Sequence, residues 1–308
     1  MTDKLKIGSR ESKLALIQTD WVKAKLQEKY PDLEIEVIKI KTQGDKILDT
    51  ALSKIGDKAL FTKELENKLL DETIDLAVHS MKDLPTVLPE GLEICATSER
   101  EDVRDVVCYS KYSGVSSLDQ AKTIATSSLR RTAQLKSYFP KAEFIDIRGN
   151  LQTRFKKLND EANGIDALIL AAAGIKRLGD KDLIDQYLDP YEVLPAVGQG
   201  ALAVEIKSNR GELREMIRNA VNDKITEKTI YIEREFLRSL EGGCQVPIGC
   251  YSEYSDGEFL ITGLVSNLDG SEQITRSRKS KDHLDLGKNL AQELIEAGAK
   301  DLLNSIRA

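Results

Sequence analysis

The sequence predicts two similar α/β lobes followed by a small α+β domain with a three-stranded antiparallel sheet. An order of apolar strand, polar turn and amphipathic helix opens the chain and recurs about a hundred residues later. The last third instead shows three consecutive strand-like segments joined by Asp-Gly turns. The chain has 308 residues, 41% hydrophobic and 31% charged, which is typical of a globular protein with several domains.

The first two thirds of the chain contain the repeated order of elements. KLKIGSRESKLALIQTDWVKAKL predicts a strand, a turn and a helix, and Ser12 is placed to cap that helix. PDLEIEVIKIKTQGD alternates as a strand does, and FTKELENKLLDETIDLAVHSMKDLP predicts a helix, a strand and a polar turn. The same order returns in AKTIATSSLRRTAQLKSYF, PKAEFIDIRGN and LQTRFKKLNDEANGIDALILAAAGIKRLG. Because solenoid periods are much shorter, we interpret the repeat as two lobes.

The last third of the chain predicts a different domain. TIYIEREFLRSLEGG is a helix that ends in glycines, and GCYSEY, FLITGLVS and SEQITRSRKS are strands joined at SDGE and NLDG. A final amphipathic helix runs from Leu284 to Ile306 with a break near Gly298. Cys244 lies in EGGCQVPI, where glycines and a proline predict a shaped loop that a ligand can reach. Most free cysteines are packing residues, as Cys95 and Cys108 are expected to be, so both roles stay open for Cys244 at this point.

Composition disfavours several classes of function. The net charge of −6 and the aromatic content of 5% argue against a nucleic-acid-binding protein. No P-loop motif is present, and Gly198–Ala203 matches the loose G-x-G-x-x-A pattern at the end of the second lobe, where we interpret it as a hinge or a close backbone approach. The sequence contains neither a signal-peptide pattern nor an apolar run of membrane-spanning length, so we expect a cytoplasmic protein without a membrane partner.

The cysteines and histidines argue against disulfides and metal sites. Four cysteines in so long a chain are no disulfide framework. The spacing of Cys244 and Cys250 matches no common zinc motif, and the chain has only two histidines. We therefore expect no metal site.

Cationic side chains follow the predicted strands at their carboxyl ends. In an open α/β sheet, ligands bind beyond those ends, and serine-capped helix N-termini such as the one in TSSLRR favour anions. A single cationic cluster is usually part of a solvated surface. The shared position of these clusters, however, predicts a cleft between the lobes lined by guanidinium groups. Its ligand is expected to be a small molecule with several carboxylates or phosphates. The cations are Arg10, Lys82, Arg130, Arg131, Arg148, Arg154 and Arg177.

Eight motifs, nearly end to end, resemble the porphobilinogen deaminase family, also called the hydroxymethylbilane synthases. They are GSRESKLAL, KALFTKELE, LAVHSMKDLPT, TSSLRRTAQL, IRGNLQTR, ILAAAGIKRL, AVGQGAL and LEGGCQVPIG. The resemblance implies three domains, of which the first two are periplasmic-binding-protein-like α/β lobes. We place the first domain at residues 1–98 and 200–218, the second at 103–194 and the third at 222–308.

The resemblance also implies an activity. Family members are transferases that condense four porphobilinogen molecules head to tail, release ammonia at each step and hydrolyse the product to hydroxymethylbilane for tetrapyrrole and haem biosynthesis. The chain is built on a dipyrromethane cofactor that would be joined by a thioether to Cys244. A monomer that passes its product to uroporphyrinogen-III synthase is expected.

The family's site residues transfer to matching positions in this chain. Asp83 in SMKDLP matches the catalytic aspartate, although a turn residue before Pro85 is the ordinary interpretation of such an aspartate. An ionised Asp83 would stabilise the positive charge of an azafulvenium ring, and neighbouring cations favour that ionised form. The expected cofactor-binding and substrate-binding residues are Arg10, Ser12, Ser80, Lys82, Thr126, Ser127, Ser128, Arg130, Arg131, Arg148, Arg154, Arg177 and Gln199.

One segment departs from the family pattern. Many bacterial members have GGKGLF where this chain has Gly56-Asp-Lys-Ala-Leu-Phe61, which leaves the flexibility of that loop and stacking by Phe61 open. A second hypothesis from another class is a binding or effector-sensing module with the same lobes and an anionic ligand but no chemistry. For an enzyme, motion about residues 98–103 and 194–201 would accommodate the growing product chain.

Overall fold

A computed structural model of the chain describes residues 4–46, 61–241 and 246–307. These residues form two compact units. The first unit holds described residues 4–46, 61–101 and 198–228, and the second holds 102–197, 229–241 and 246–307. None of the helices in these ranges is long and apolar enough to cross a membrane.

The described residues contain the strands and helices that the repeat predicted, together with additional short ones. The strands are β1 (Lys4–Arg10), β2 (Glu34–Ile40), β3 (Leu76–Ser80), β4 (Leu92–Thr97), β5 (Asp105–Tyr109), β6 (Thr123–Ala125), β7 (Glu143–Ile145), β8 (Ala167–Ala171), β9 (Gln186–Tyr187), β10 (Leu202–Lys207), β11 (Ile248–Ser255), β12 (Glu258–Ser266) and β13 (Gln273–Ser280). The helices are α1 (Lys13–Lys29), α2 (Gln43–Lys46), α3 (Lys63–Leu70), α4 (Leu129–Tyr138), α5 (Leu151–Leu158), α6 (Ala172–Arg177), α7 (Gly211–Val221), α8 (Lys224–Ser239), α9 (Leu286–Leu294) and α10 (Lys300–Arg307).

The first unit is built on a five-stranded sheet in the order β2-β1-β3-β10-β4. β1 is parallel to β2 and β3, whereas β10 is antiparallel to both of its neighbours. One face of the sheet packs against α1 and α7 through residues such as Val22 and Ile217, and the other packs against α3 through Leu65 and Leu69. The helices therefore cover both faces, as expected for an α/β lobe.

The second unit contains a five-stranded sheet with the same arrangement, in the order β7-β6-β8-β5-β9. β6 is parallel to β7 and β8, and β5 is antiparallel to both of its neighbours. Each position in this sheet has its counterpart in the first, so the predicted pair of similar α/β lobes is confirmed. Hydrophobic periodicity predicted the elements of the repeat but not the antiparallel fourth strand, because pairing direction is decided by distant parts of the chain.

The second unit also contains the predicted three-stranded antiparallel sheet, in the order β11-β12-β13. β11 turns into β12 through Asp256 and Gly257, whose φ values of 52° and 81° are typical of the hairpin turn that SDGE predicted. The sheet packs on α8 and α9 around Phe236 and Leu290. The chain kinks at Gly298, where φ is 101°, which confirms the predicted break in the last helix.

The part of the second unit that contains the three-stranded sheet makes close backbone contacts with α4 and with the segment after β9. The Cys250 N–H donates to the Pro195 carbonyl at 2.9 Å. A Cβ at Gly249 would lie 2.8 Å from the Leu194 Cβ, and one at Gly270 would lie 2.0 Å from the Ala133 oxygen. Only glycine fits such approaches without a shift of the backbone. The boundaries of the three expected domains stay a prediction.

Candidate functional site

A pocket in the first unit forms where β1 and β3 end side by side. After β3 the chain makes a single tight turn, Met81–Asp83, which brings Asp83 back to the strand end. The Met81 N–H donates to the Ala201 carbonyl at 3.0 Å and thereby holds the turn against the segment before β10. The pocket is lined by Arg10, Ala15, Gln18, Phe61, Thr62, Val78, His79, Ser80 and Asp83.

The polar side chains of this pocket are held by local contacts. The Arg10 guanidinium carbon lies 4.3 Å from the centre of the Phe61 ring, a cation–π distance. The Gln18 amide donates to the Ser80 hydroxyl at 2.9 Å. Thr62 is 1% exposed, and its hydroxyl finds no hydrogen-bond partner among the described residues. The pocket thus combines a cation, an amide, hydroxyl groups and the Asp83 carboxylate.

Three further predicted ligands of the first unit, Ser12, Lys82 and Gln199, form hydrogen bonds within that unit. The Ser12 hydroxyl accepts from the Ala15 N–H at 3.3 Å, so it caps α1 as expected. The Lys82 ammonium donates to the Gln199 side-chain oxygen at 3.2 Å. The binding of a ligand by Ser12, Lys82 and Gln199 stays a prediction.

The Gly198–Ala203 motif brings two backbones into contact. A Cβ at Gly198 would lie 2.6 Å from the Met81 Cγ, and one at Gly200 would lie 2.4 Å from the Glu101 oxygen. Both glycines also have positive φ values, 76° and 94°. The interpretation of this motif as a close backbone approach is therefore confirmed.

In the second unit, two predicted ligands at the start of α4 are buried around one carboxylate. Arg130 and Arg131 are 5% and 7% exposed, and Asp105 is fully buried. Asp105 accepts from Arg130 Nη1 at 2.7 Å and from Arg131 Nη2 at 2.8 Å. Burial alone would raise the pKa of Asp105, but the two guanidiniums outweigh it and hold that pKa well below its usual range.

The same network holds Leu194, in the segment that follows β9. Arg130 Nη1 also donates to the Leu194 carbonyl at 2.6 Å. The Gln134 side chain donates to that carbonyl at 3.0 Å and accepts from the Leu194 N–H at 2.8 Å. Sequence reasoning found the arginines but missed Asp105, because a buried carboxylate in the strand DVVCY gives no local signal of its partners.

The remaining predicted ligands of the second unit lie after strands or within the helices that follow them. Ser128 caps α4 by accepting from the Arg131 N–H at 3.4 Å, and Thr126 Oγ1 accepts from the Ser128 N–H at 3.3 Å. Arg148 Nε donates to Asp146 at 3.1 Å, and Arg154 Nε donates to the Gly149 carbonyl at 2.9 Å. Ser127 is half-buried before α4, and Arg177 ends α6. Their ligand-binding roles stay a prediction.

Sequence reasoning also missed residues of the first pocket. Gln18, which lines the pocket, lies on the buried face of α1 together with Ala15, Val22 and Leu26. A polar residue at a core position of an amphipathic helix is a signal that could have identified it.

Cys244, the expected attachment residue, lies outside the described residues, as do residues 56–60 of the departing loop. The three cysteines that the structure describes, Cys95, Cys108 and Cys250, are all buried. Burial raises the pKa of Cys95, and it raises the pKa of Cys108 to about 12. Because the thiolate is the nucleophile, these two thiols are poorly suited to covalent attachment.

Comparison with known proteins relates the whole chain to one family. Residues 5–215 match the family model described as "Porphobilinogen deaminase, dipyromethane cofactor binding domain", and residues 228–296 match "Porphobilinogen deaminase, C-terminal domain". The porphobilinogen deaminase of Desulfitobacterium hafniense is 48% identical over 98% of this chain and 97% of that protein. The one of Nostoc sp. is 49% identical over 99% of this chain and 95% of that protein.

Similar solved structures are more distant. The aliphatic sulphonate binding protein SsuA from Escherichia coli has a TM-score of 0.42 at 12% identity and covers 78% of this chain and 71% of its own. The methionine binding protein MetQ has a TM-score of 0.46 at 11% identity and covers 75% of this chain and 95% of its own. The family models and the close relatives, which span nearly the full length, decide the assignment: this chain belongs to the porphobilinogen deaminase family.

Proposed function

We propose that this chain is a hydroxymethylbilane synthase, a transferase of tetrapyrrole biosynthesis. It would condense four porphobilinogen molecules head to tail, release one ammonia at each step and hydrolyse the finished tetrapyrrole. The observation that carries this proposal is the pocket in which Asp83 lies with the Arg10 guanidinium, the Gln18 amide and the Ser80 hydroxyl. The family to which the chain belongs indicates the reaction that such a set of groups would catalyse.

The pocket suits a ligand that is both anionic and aromatic. Each porphobilinogen ring carries an acetate and a propionate, and a guanidinium binds carboxylates through charge-assisted hydrogen bonds. Arg10 is half-buried and stacks on Phe61, which limits the freedom of its guanidinium before a ligand arrives. The Thr62 hydroxyl, which has no hydrogen-bond partner among the described residues, would offer the ligand a further hydrogen bond.

Asp83 would stabilise positive charge on the substrate. Loss of ammonia from porphobilinogen leaves an electron-poor azafulvenium ring, and a fixed carboxylate beside the pyrrole N–H lowers the free energy of that cation. The turn at Met81–Asp83 is held by the Ala201 carbonyl, so Asp83 is preorganised on a rigid strand end. The new carbon–carbon bond then forms at the free ring carbon of the preceding unit, whose proton leaves.

A dipyrromethane cofactor suits the predicted ligand set. When bound, it would supply the free ring carbon at which the first porphobilinogen is joined. Its carboxylates match the cationic character of the predicted ligand set, and we propose Cys244 as the site of its thioether bond. The buried thiols of Cys95 and Cys108 are poor competitors for this attachment.

The remaining features of the proposal follow from the family. We propose that the enzyme works as a cytoplasmic monomer, needs no metal or nucleotide, and passes its product to uroporphyrinogen-III synthase. The competing hypothesis, a binding module with the same lobes and no chemistry, predicts no covalent adduct.

Intact-protein mass spectrometry tests the proposal. The purified chain should exceed its sequence mass by two pyrrole units, and the excess should map to the peptide that carries Cys244. Cys244→Ser should remove the excess and the activity, whereas the control Cys108→Ala should keep both. A wild-type mass equal to the bare chain would contradict the proposed cofactor and favour the binding module.

A further inference from the structure

One threonine that lines the Asp83 pocket has a hydroxyl without a hydrogen-bond partner. Thr62 is 1% exposed, and within the part of the chain that the structure describes its Oγ1 atom forms no hydrogen bond. A buried hydroxyl of this kind destabilises a folded chain, because it has lost its bonds to water and forms none in their place. Native structures contain few such groups, and a ligand that completes the hydrogen bond is one reason to keep them.

Helix capping, the usual role of a threonine at this position, does not account for the hydroxyl. Thr62 is the N-cap residue of α3, and its carbonyl accepts from the Glu66 N–H at 2.9 Å. Threonine is favoured at such positions because its side-chain oxygen can accept from a backbone N–H of the first turn. The Thr62 side chain forms no such bond. The backbone of Thr62 therefore starts the helix, while its hydroxyl takes no part in it.

A second threonine has the same unpaired hydroxyl in a different place. Thr19 is 0% exposed on the buried face of α1, and its Oγ1 also lacks a hydrogen-bond partner among the described residues. The described residues that line the pocket do not include Thr19. An unpaired hydroxyl alone therefore does not make a site, and the location of Thr62 in the pocket carries the argument.

The residue before Thr62 holds the cation of the pocket. The Arg10 guanidinium carbon lies 4.3 Å from the centre of the Phe61 ring, and Arg10, Phe61 and Thr62 all line the pocket. Asp83 is the anion among the lining residues. The hydroxyl thus adds a hydrogen-bond donor near a cation without adding charge to the pocket.

The proposed substrate has two kinds of hydrogen-bonding group. The acetate and the propionate of porphobilinogen accept hydrogen bonds, whereas its pyrrole N–H and its ammonium donate them. The Asp83 carboxylate only accepts, so it suits the donors. A hydroxyl beside a guanidinium suits a carboxylate, because a hydrogen bond to an ionised acceptor is about twice as strong as a neutral one.

We propose that Thr62 is a specificity-determining residue whose hydroxyl donates to the substrate carboxylate that Arg10 binds. The hydrogen bond forms when the ligand fills the pocket, so binding removes the destabilisation that the unpaired hydroxyl causes in the free chain. A pyrrole without that carboxylate leaves the hydroxyl unpaired and is rejected. This inference rests on the function proposed above, since it takes porphobilinogen as the ligand.

A porphobilinogen analogue that lacks the aminomethyl group tests this role without turnover. The analogue keeps both carboxylates but has no ammonia to release, so calorimetry on the purified chain gives its dissociation constant directly. Thr62→Val keeps the shape of the side chain without the hydroxyl, and the dissociation constant should rise about tenfold or more. The KM for porphobilinogen should rise with it, while kcat stays within about twofold, because the contact is made before the chemical step as well as during it.

Thr62→Ser and Thr19→Val are the matched controls. Thr62→Ser keeps the hydroxyl and should bind the analogue nearly as tightly as the wild type. Thr19→Val removes the other unpaired hydroxyl and should leave the dissociation constant unchanged. Both valine variants should have the melting temperature of the wild type or a higher one, because each loses a buried polar group that has no partner.

Several results would overturn the inference. An unchanged dissociation constant in Thr62→Val would reduce Thr62 to a packing residue, and an equal rise in Thr19→Val would show a general effect on the fold. A higher KM for porphobilinogen without weaker binding of the analogue would assign the hydroxyl to the amine instead of a carboxylate. If Thr62→Val does not fold, Thr62→Ala removes the same hydroxyl and must show the loss of about tenfold. Failure of the wild-type chain to bind the analogue or consume porphobilinogen would instead contradict the proposed function.

Discussion

Arginines predicted as ligands have different surroundings in the two units. In the first unit, Arg10 is half-buried, stacks on Phe61 and lines a pocket. In the second, Arg130 and Arg131 are almost fully buried and share the Asp105 carboxylate. The difference teaches that cations predicted from the same kind of sequence position can either line a pocket or neutralise a buried anion. Burial and partners separate these roles, whereas sequence position does not.

The largest expected effect concerns the buried cluster of the second unit. Asp105→Asn leaves two buried guanidiniums without their anion, and loss of one partner of a buried ion pair typically costs about 3 to 5 kcal/mol in the free energy of unfolding. Urea denaturation measures this change. Asp146→Asn is the matched control, because Asp146 also pairs with an arginine but is 44% exposed, so its loss should cost less than about 1 kcal/mol. Equal losses of unfolding free energy in the two variants would show that the Asp105 cluster stabilises the fold no more than an exposed ion pair does.

The next effect concerns the pocket of the first unit. Asp83→Asn keeps the size of the side chain but removes the negative charge, and kcat should fall about a hundredfold or more, as it does when one stabilising group of a transition state is lost. Stability and the pyrrole mass on Cys244 should remain. Asp32→Asn, at an exposed position, provides the control. Turnover of the Asp83→Asn enzyme at the wild-type rate would remove Asp83 from the mechanism.

The smallest effect concerns a third, more exposed cluster and its pH dependence. Burial opposes ionisation of Asp102, but hydrogen bonds from Arg104 and Lys176 outweigh it and lower its pKa to about 2. A lowered pKa stabilises the folded chain above the ordinary carboxyl range, and this contribution is lost as the pH falls from about 4 toward 2. In Asp102→Asn, the loss in the free energy of unfolding between about pH 4 and 2 should be smaller than in the wild type. The difference should be less than about 1 kcal/mol, because Arg104 is 39% exposed. Urea denaturation midpoints of the wild-type and Asp102→Asn chains, measured across this pH range, check the prediction. An identical dependence of the midpoint on pH in both chains would contradict it.

The fold followed largely from local patterns in the sequence. The repeated order of elements predicted both lobes, and SDGE predicted the turn at Asp256 and Gly257. The antiparallel strands β5 and β10 were not predicted, because each enters its sheet from a distant part of the chain. Sequence patterns report which segments form strands, whereas pairing direction depends on the complete fold.

The site was predicted less completely than the fold. The motif SMKDLP identified Asp83, but Gln18, Thr62 and His79 were not recognised as pocket residues. Each of them has a polar side chain within a buried segment, and only the folded structure shows that the segments meet. Asp105 was missed for the same reason, since Arg130 and Arg131 are 25 and 26 positions away in the chain.

The most direct test of the central claim is the stoichiometry of the purified enzyme with porphobilinogen. The proposed reaction at the Asp83 pocket predicts one ammonia released for each porphobilinogen consumed, and hydroxymethylbilane as the product, without added metal or nucleotide. Absence of ammonia release from a chain that binds porphobilinogen would contradict the proposed catalysis and leave a binding module.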